Sequence, residues 1–377
     1  MHPPALSIPS LLSPSRKQTE AVMSLVRLIV FVLLSGLAAL PARAAFSSFY
    51  VFGDGVCTTT DNVDWFPNYY TNTYSNGRVW VEVLAKRQGL TYDAHKNLSY
   101  FGNGSADLLT ELGGFFPTDA SNSLFVVWVN DADFANYMLT NFPTTLNQTT
   151  WNIATNSSLA NHGQAITNLY LKGARTLIMP NAVDLTEIPQ YANISANHKG
   201  FISPRISAFN TSFATLLNQA MASLPGLKIY MPDMFALLDD MVDNPGNYGL
   251  INATGGIYAT QDGYNTWNGS RNNWMWWDPW DPTAKAHEIM ADTVQQLVSP
   301  VTISKVISLN GSNRLDVVNY PSGLGGYVDG RTNLFYGNWT LNLTNFTSTG
   351  VTQSIVVRTS GPQRFYRLRF PFAWSWP

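Results

Sequence analysis

The sequence predicts an α/β protein with a central parallel sheet covered by helices on both faces, followed by a small β-rich C-terminal module. Three observations carry this. Apolar runs of the buried-strand type at 49–52, 124–129, 176–181 and 227–230 alternate with segments of helical spacing, the mark of a parallel sheet. The first run breaks at Gly53-Asp54-Gly55, which delivers the next residues to the carboxyl edge of the sheet, where ligands and chemistry sit in open α/β folds. From residue 301 the texture changes to short β-prone runs (304–308, 326–328, 354–357 and 365–370) separated by Gly, Asn and Pro, with no helical period.

The helical segments follow from spacing. Residues 74–85 open a short helix with Trp80, Val83 and Leu84 on one face, and Gly89 stops it. A second helix around 159–172 ends at Gly173. Ile206, Phe209, Phe213, Leu217 and Met221 share the apolar face of a third, which Pro225-Gly226 breaks. Ile289, Met290, Thr293, Val294 and Leu297 form the apolar side of a last one, behind a loop rich in Gly, Asn and Tyr at 255–274.

Residues 1–44 stand outside this fold. Arg16, Lys17 and Arg27 precede the apolar run 28–40, and Ala42-Arg43-Ala44 reads as a cleavage site, so the segment is a signal peptide; Met23 to Ala44 alone would suffice. The run is short for a bilayer span, and a retained anchor is the alternative reading. The expectation is a secreted, periplasmic or cell-surface protein with no membrane span once the signal is removed. The domains are then 45–300 for the α/β part and 301–377 for the β module, which either packs on the main domain or binds a surface polymer.

The 377 residues are 45% hydrophobic, enough for a sizeable core, but only 12% charged, about half the roughly 25% usual for soluble domains. A net charge of −2 gives no electrostatic case for a nucleic-acid partner. Cys57 is the single cysteine, so no intrachain disulfide can form. Asn-x-Ser/Thr sequons at Asn97, Asn193, Asn338 and Asn345 matter only in a host that glycosylates.

Several blocks occur in a telling order. Gly53-Asp54-Gly55 ends the first strand. Ser75-Asn76-Gly77-Arg78-Val79-Trp80-Val81-Glu82 follows, then Asn97-Leu98-Ser99-Tyr100-Phe101-Gly102, then Asn130-Asp131-Ala132-Asp133-Phe134. Asn244-Pro245-Gly246-Asn247-Tyr248-Gly249 and Trp277-Asp278-Pro279-Trp280-Asp281-Pro282-Thr283 close the series. Across residues 46–300 this order resembles the SGNH/GDSL hydrolases, the esterase and lipase family whose first block ends Gly-Asp-Ser-Leu. The resemblance implies an SGNH-type three-layer sandwich and hydrolysis of acyl or acetyl esters of lipids or carbohydrates. It implies a serine nucleophile, a histidine base, an aspartate orienting that histidine and an oxyanion hole. It implies no cofactor and no metal, and a small-molecule ester or carbohydrate as ligand.

The chain departs from that pattern at the reacting positions. Gly55 replaces the serine and Asp281 the histidine. Asp278 matches the triad acid, and Asp54 the aspartate of the nucleophile turn. In the oxyanion hole Gly102 matches the glycine donor, while Ala132 replaces the asparagine; Asn130, two residues earlier, would substitute only with a loop shift. Cys57 and His287 lie at spacings that do not preserve the family's geometry. Two readings result: an ester hydrolase by family, with carboxylate chemistry as one form of it, and a non-catalytic exported carbohydrate- or surface-binding protein. Trp276, Trp277 and Trp280 flank the site and either stack on sugar rings or pack in the core. Asp278 and Asp281 are expected to titrate as a coupled pair, neutralised by a shared proton, by Lys285 or Arg271, or by a hard cation such as Ca²⁺. The plainer reading is that Asp281 caps the helix that starts at Pro282.

Overall fold

The first strand is apolar on both faces because both faces are covered. In a computed structural model describing residues 46–62, 69–141, 146–256, 273–320, 325–333, 338–347, 350–358 and 365–370, β1 (Ser48–Gly53) pairs in parallel with β2 (Ser123–Trp128). β2 pairs with β3 (Thr176–Ile178), and β3 with β4 (Lys228–Tyr230), all parallel, giving the order β1-β2-β3-β4. The stretch after Asn97 extends the other edge, where Leu98 N–H donates to Val51 O and Tyr100 N–H to Gly53 O.

Alternate residues of each strand face opposite layers, as the two-residue strand period requires. Phe49, Val51, Leu124, Val126 and Trp128 pack against α1 (Trp80–Arg87) and α7 (Ala284–Val298) through Trp80, Leu84, Met290 and Val294. Tyr50, Phe52, Phe125, Val127 and Leu177 face α2 (Ser105–Gly114), α4 (Gln148–Leu171) and α5 (Ala196–Ser223) through Leu108, Leu112, Ile166, Leu169, Phe209 and Phe213. This is the three-layer α/β sandwich expected from the alternating pattern. Two further helices follow strands: α3 (Asn130–Asn141) after β2 and α6 (Met234–Asp243) after β4. Neither was legible as a helix. α3 begins on polar residues directly behind a strand, and α6 is a single short element.

The other boundaries shift modestly. The helix expected at 159–172 begins eleven residues earlier, because Asn147 caps it by accepting from Thr149 and Thr150 N–H. Gly89 and Gly173 do terminate their helices, at φ +72° and +100°. The loop expected at 255–274 is flanked by two short paired strands, β5 (Asn252–Gly256) and β6 (Trp274–Trp276). Beyond residue 301 two three-stranded antiparallel sheets form. One has β11 (Thr352–Arg358), β8 (Ser312–Val318) and β7 (Thr302–Leu309). The other has β10 (Thr340–Thr347), β9 (Gly325–Arg331) and β12 (Phe365–Arg369). They enclose a separate small core around Leu315, Val317, Tyr320, Val328, Ile355 and Val357. Residues 1–44, Arg271 and the aromatic tail lie outside the described residues. Among the described residues no helix is long and apolar enough to cross a membrane.

The layer formed by α1 and α7 contains a buried ionic joint. Arg87, 4% exposed, donates to Glu288 at 2.7 Å and to Asp292 at 2.8 Å. Breaking a buried pair from one side leaves uncompensated charge and costs about 3–5 kcal/mol. Arg87→Met should therefore lower urea-unfolding stability by about that amount, whereas replacing Arg87, Glu288 and Asp292 together by apolar residues should cost far less. Equal losses for the single and the triple variant would contradict this account.

Candidate active site

Gly55 sits at the carboxyl end of β1, in a turn closed by Asp54, whose Oδ1 accepts from Val56 N–H at 3.1 Å while its carbonyl accepts from Cys57 and Thr58 N–H. The space beside Gly55 is occupied. A Cβ placed on Gly55 would lie 2.7 Å from Cδ2 of Phe101 and 3.5 Å from Oδ1 of Asp281. Any residue but glycine would therefore have to displace the aromatic ring. Phe101, half exposed, is held by its N–H, which donates to Asp61 Oδ2 at 2.9 Å, and by the Tyr74 ring 4.9 Å away. Its role was not legible in the sequence.

Asp281 reaches Gly55 because the loop before α7 is folded tightly on itself. Asp278 Oδ1 accepts from the N–H groups of Trp280 and Asp281, both at 2.7 Å, and Oδ2 accepts from the Tyr69 hydroxyl at 2.6 Å. Trp277 N–H donates to Asp281 O at 2.9 Å. The loop is anchored from far away in sequence: Ser75 Oγ donates to Pro282 O at 2.8 Å, and Asn76 Oδ1 accepts from Ala284 N–H at 2.8 Å. The Ser-Asn-Gly-Arg segment thus positions the loop rather than merely packing a helix. Asp281 is not the helix cap. Thr283 is, with its side chain accepting from Ala286 N–H; the helix starts two residues after Pro282, and the Asp281 carboxylate turns toward Gly55 instead.

The buried carboxylates are held toward their neutral forms. Burial, then the Asp278 and Asp54 charges, push Asp281 well up, and the two side chains of the Asp278–Asp281 pair hydrogen-bond to each other. Asp278 is also raised by burial, but its donors from Tyr69, Trp280 and Asp281 favour the charged form. Burial and the closeness of the two carboxyl groups both favour a protonated pair, each group being raised above the usual carboxylate range. Lys285 does not neutralise the pair; its ammonium bonds to Gly249 O and Asn273 Oδ1. Burial raises Asp54 to about 7. Asp131, which the sequence reading missed, is also pushed well up by burial and by Asp54, and accepts from Val183 N–H at 2.8 Å. Among the described residues no group of three or more such side chains is arranged to hold a metal ion.

Other positions are placed as follows. Gly102 adopts φ +79° and Ala132 lines the same cavity. The N–H groups of Gly55 and Gly102 make no hydrogen bond among the described residues. Asn130 does not supply the missing donor: its amide bonds to Pro180 O at 2.9 Å and the residue lies off the cavity. Asn136 does reach the cavity and donates to Gly102 O at 3.0 Å. Cys57 is fully buried with its thiol pushed up by burial, and His287, lowered to about 3 by burial, accepts from Trp80 N–H. Each is built into packing, so they form no nucleophile–base pair. Of the three tryptophans, Trp276 and Trp277 are buried at 3% exposure, Trp276 bonded to Ala253 O, which corrects the stacking-platform reading for both. Trp280 is half-buried and lines the cavity.

That cavity measures about 120 Å³ and joins Asp54, Gly55, Asp131 and Asp281 to a mostly apolar lining that includes Leu185, Ile188, Met234, Met241, Met275 and Met290. The methionines make it adaptable to the shape of an apolar guest.

The sequence profile of the GDSL-like lipase/acylhydrolase family matches residues 49–294. The chain belongs to that family. A GDSL esterase/lipase of Arabidopsis thaliana is 25% identical over 207 residues, 50% of this chain and 53% of its own length, so the chain spans about half of that relative. A phosphatidylcholine–sterol acyltransferase of Aeromonas hydrophila is 25% identical over 261 residues, covering 61% of this chain and 72% of that one. A crystal structure of a GDSL-like lipase from Parabacteroides merdae superposes with a TM-score of 0.42 at 10% identity, over 67% of this chain and 95% of that chain.

Two outcomes follow from this geometry. Gly55→Ser should destabilise the protein by about 1–3 kcal/mol in urea unfolding, the usual cost of overpacking, and Phe101→Ala in the same chain should remove most of that penalty; additive effects would show that the two sites do not touch. For Asp54, the native pKa near 7 lies above the ordinary value of 3.8. Its stabilising protonation is complete below about pH 4 and is lost as pH rises through 7, with a slope approaching about 1.4 kcal/mol per pH unit. The wild type should lose stability relative to Asp54→Asn across that window, and a pH-independent difference between the two would refute the assignment.

Proposed function

We infer that this protein is an exported GDSL-family member that binds an apolar, acyl-type small molecule in the family's cleft without Ser-His-Asp hydrolysis. The observation that carries the reading is the place beside Gly55: a Phe101 ring stands where the nucleophile's side chain would begin, and a buried carboxyl group stands where the base would be. Nucleophilic catalysis needs a hydroxyl or thiol within reach of a base, and Cys57 and His287 are each committed elsewhere.

The lining supports an acyl ligand over a sugar. Its walls are largely aliphatic and thioether groups, whereas a sugar site needs several convergent polar groups. The unbonded N–H groups of Gly55 and Gly102 suit a carbonyl oxygen, and the Aeromonas relative is named for action on phosphatidylcholine and a sterol. Export rests on the Ala42-Arg43-Ala44 site behind the apolar run, and N-terminal sequencing that began well before Ala45 would contradict it.

The wild type should not turn over short p-nitrophenyl esters and should not react with a fluorophosphonate, yet those esters should raise its melting temperature. Gly55→Ser with Asp281→His should recover only slight turnover while Phe101 and Ala132 remain. Fluorophosphonate labelling of wild-type protein at a serine near Gly55 would overturn the reading.

A further inference from the structure

The two parts of the chain carry opposite charge. Residues 45–300 hold 11 Lys and Arg against 21 Asp and Glu, whereas residues 301–377 hold seven Lys and Arg against two Asp and no Glu. Much of that positive charge gathers on one sheet. Val328 of β9 and Leu368 of β12 belong to the small core, so Tyr327, Asp329 and Arg331, with their cross-strand partners Arg369, Arg367 and Phe365, occupy the opposite face.

The arginines there are held in fixed poses. Arg367 and Arg369 each commit Nε to the fully buried Asp329 carboxylate at 3.1 Å, and Arg369 also donates to Asn342 Oδ1. The Arg367 guanidinium lies over the Trp339 ring at 4.6 Å and Arg331 over the same ring at 5.9 Å, while Arg369 lies over Tyr327 at 4.9 Å. Arg367 and Arg369 share one buried aspartate, so that pair of guanidinium groups keeps net positive charge. Arg367 and Arg369 remain 44% and 37% exposed.

We propose that this face of β9 and β12 binds an acidic polysaccharide, with Arg331, Arg367 and Arg369 pairing successive carboxylates along the chain. Ring-backed guanidinium forks suit planar oxyanions, and residues two apart on a strand repeat about every 6.8 Å, a line of charge that fits a polymer better than a single head group. Nucleic acid is less well served, because base stacking needs open aromatic faces and both rings already carry guanidinium groups. A membrane is less well served, because surface binding needs apolar side chains to insert beside the basic ones, and the Trp339 and Tyr327 rings here lie against guanidinium groups. The proposal is independent of what the cleft binds.

The test is titration calorimetry of the full chain with polygalacturonate, with dextran, single-stranded DNA and phosphatidylserine vesicles as comparison arms. Polygalacturonate should bind, weakening as salt rises, and dextran should not. Arg331→Gln leaves both Asp329 pairs in place, and Arg367→Lys keeps the charge but loses the fork. Each should cut affinity by roughly five- to tenfold, with the far-ultraviolet circular dichroism spectrum of the folded protein retained. Equal binding to dextran, affinity untouched in both variants, or tighter binding to DNA or vesicles would overturn the proposal.

Discussion

The site depends on a clamp between segments more than two hundred residues apart. Asn76 satisfies the Ala284 N–H, one of the donors that a helix start leaves without an internal partner. Ser75 ties down the Pro282 carbonyl, and Trp80 N–H, at the start of α1, meets the His287 ring. All of these groups are buried, where an unmet polar group costs far more than a met one returns. The clamp therefore fixes where α7 begins. It also fixes where the preceding loop must turn and how close Asp281 comes to Gly55.

Within that loop the two aspartates are made unequal by their surroundings. Asp278 collects donors from Tyr69, Trp280 and Asp281, which offset part of the effect of its burial. Asp281 has no such set of donors among the described residues and faces a mostly apolar cavity, so burial and the Asp278 charge push it well toward its neutral form. Burial at this end of the cleft thus favours neutral carboxyl groups.

Much of the fold was legible because it rests on local pattern. The four strands read as apolar runs since both faces are buried, and the glycine stops at Gly89 and Gly173 lie where positive φ requires them. Block order alone singled out Gly55, Ala132 and Asp281, and the three line one cavity. What was hidden depends on distant contacts. Nothing near Phe101 announces that its ring fills the space at Gly55, and Asp61 and Tyr74, which hold it, come from another loop. Asp281 before Pro282 carries a local capping signal, but Thr283 took the cap because the clamp delays the helix start. Asn130 could serve the site only with a loop shift, and its amide turns to the Pro180 carbonyl instead. Asp131 escaped notice because its partner, Val183, is fifty-two residues away.

Cys57 packs its sulfur against the backbone at Gly53, so close that a Cβ on that glycine would lie 2.7 Å from the sulfur, and it has no exposure at all. It is also the only thiol in the chain. Thiol reagents can reach it only when the turn after β1 opens, so the rate of its modification is a clock for that opening. The protein thereby carries a native reporter in the turn beside its own cleft, one that reads local breathing at the end of the first strand.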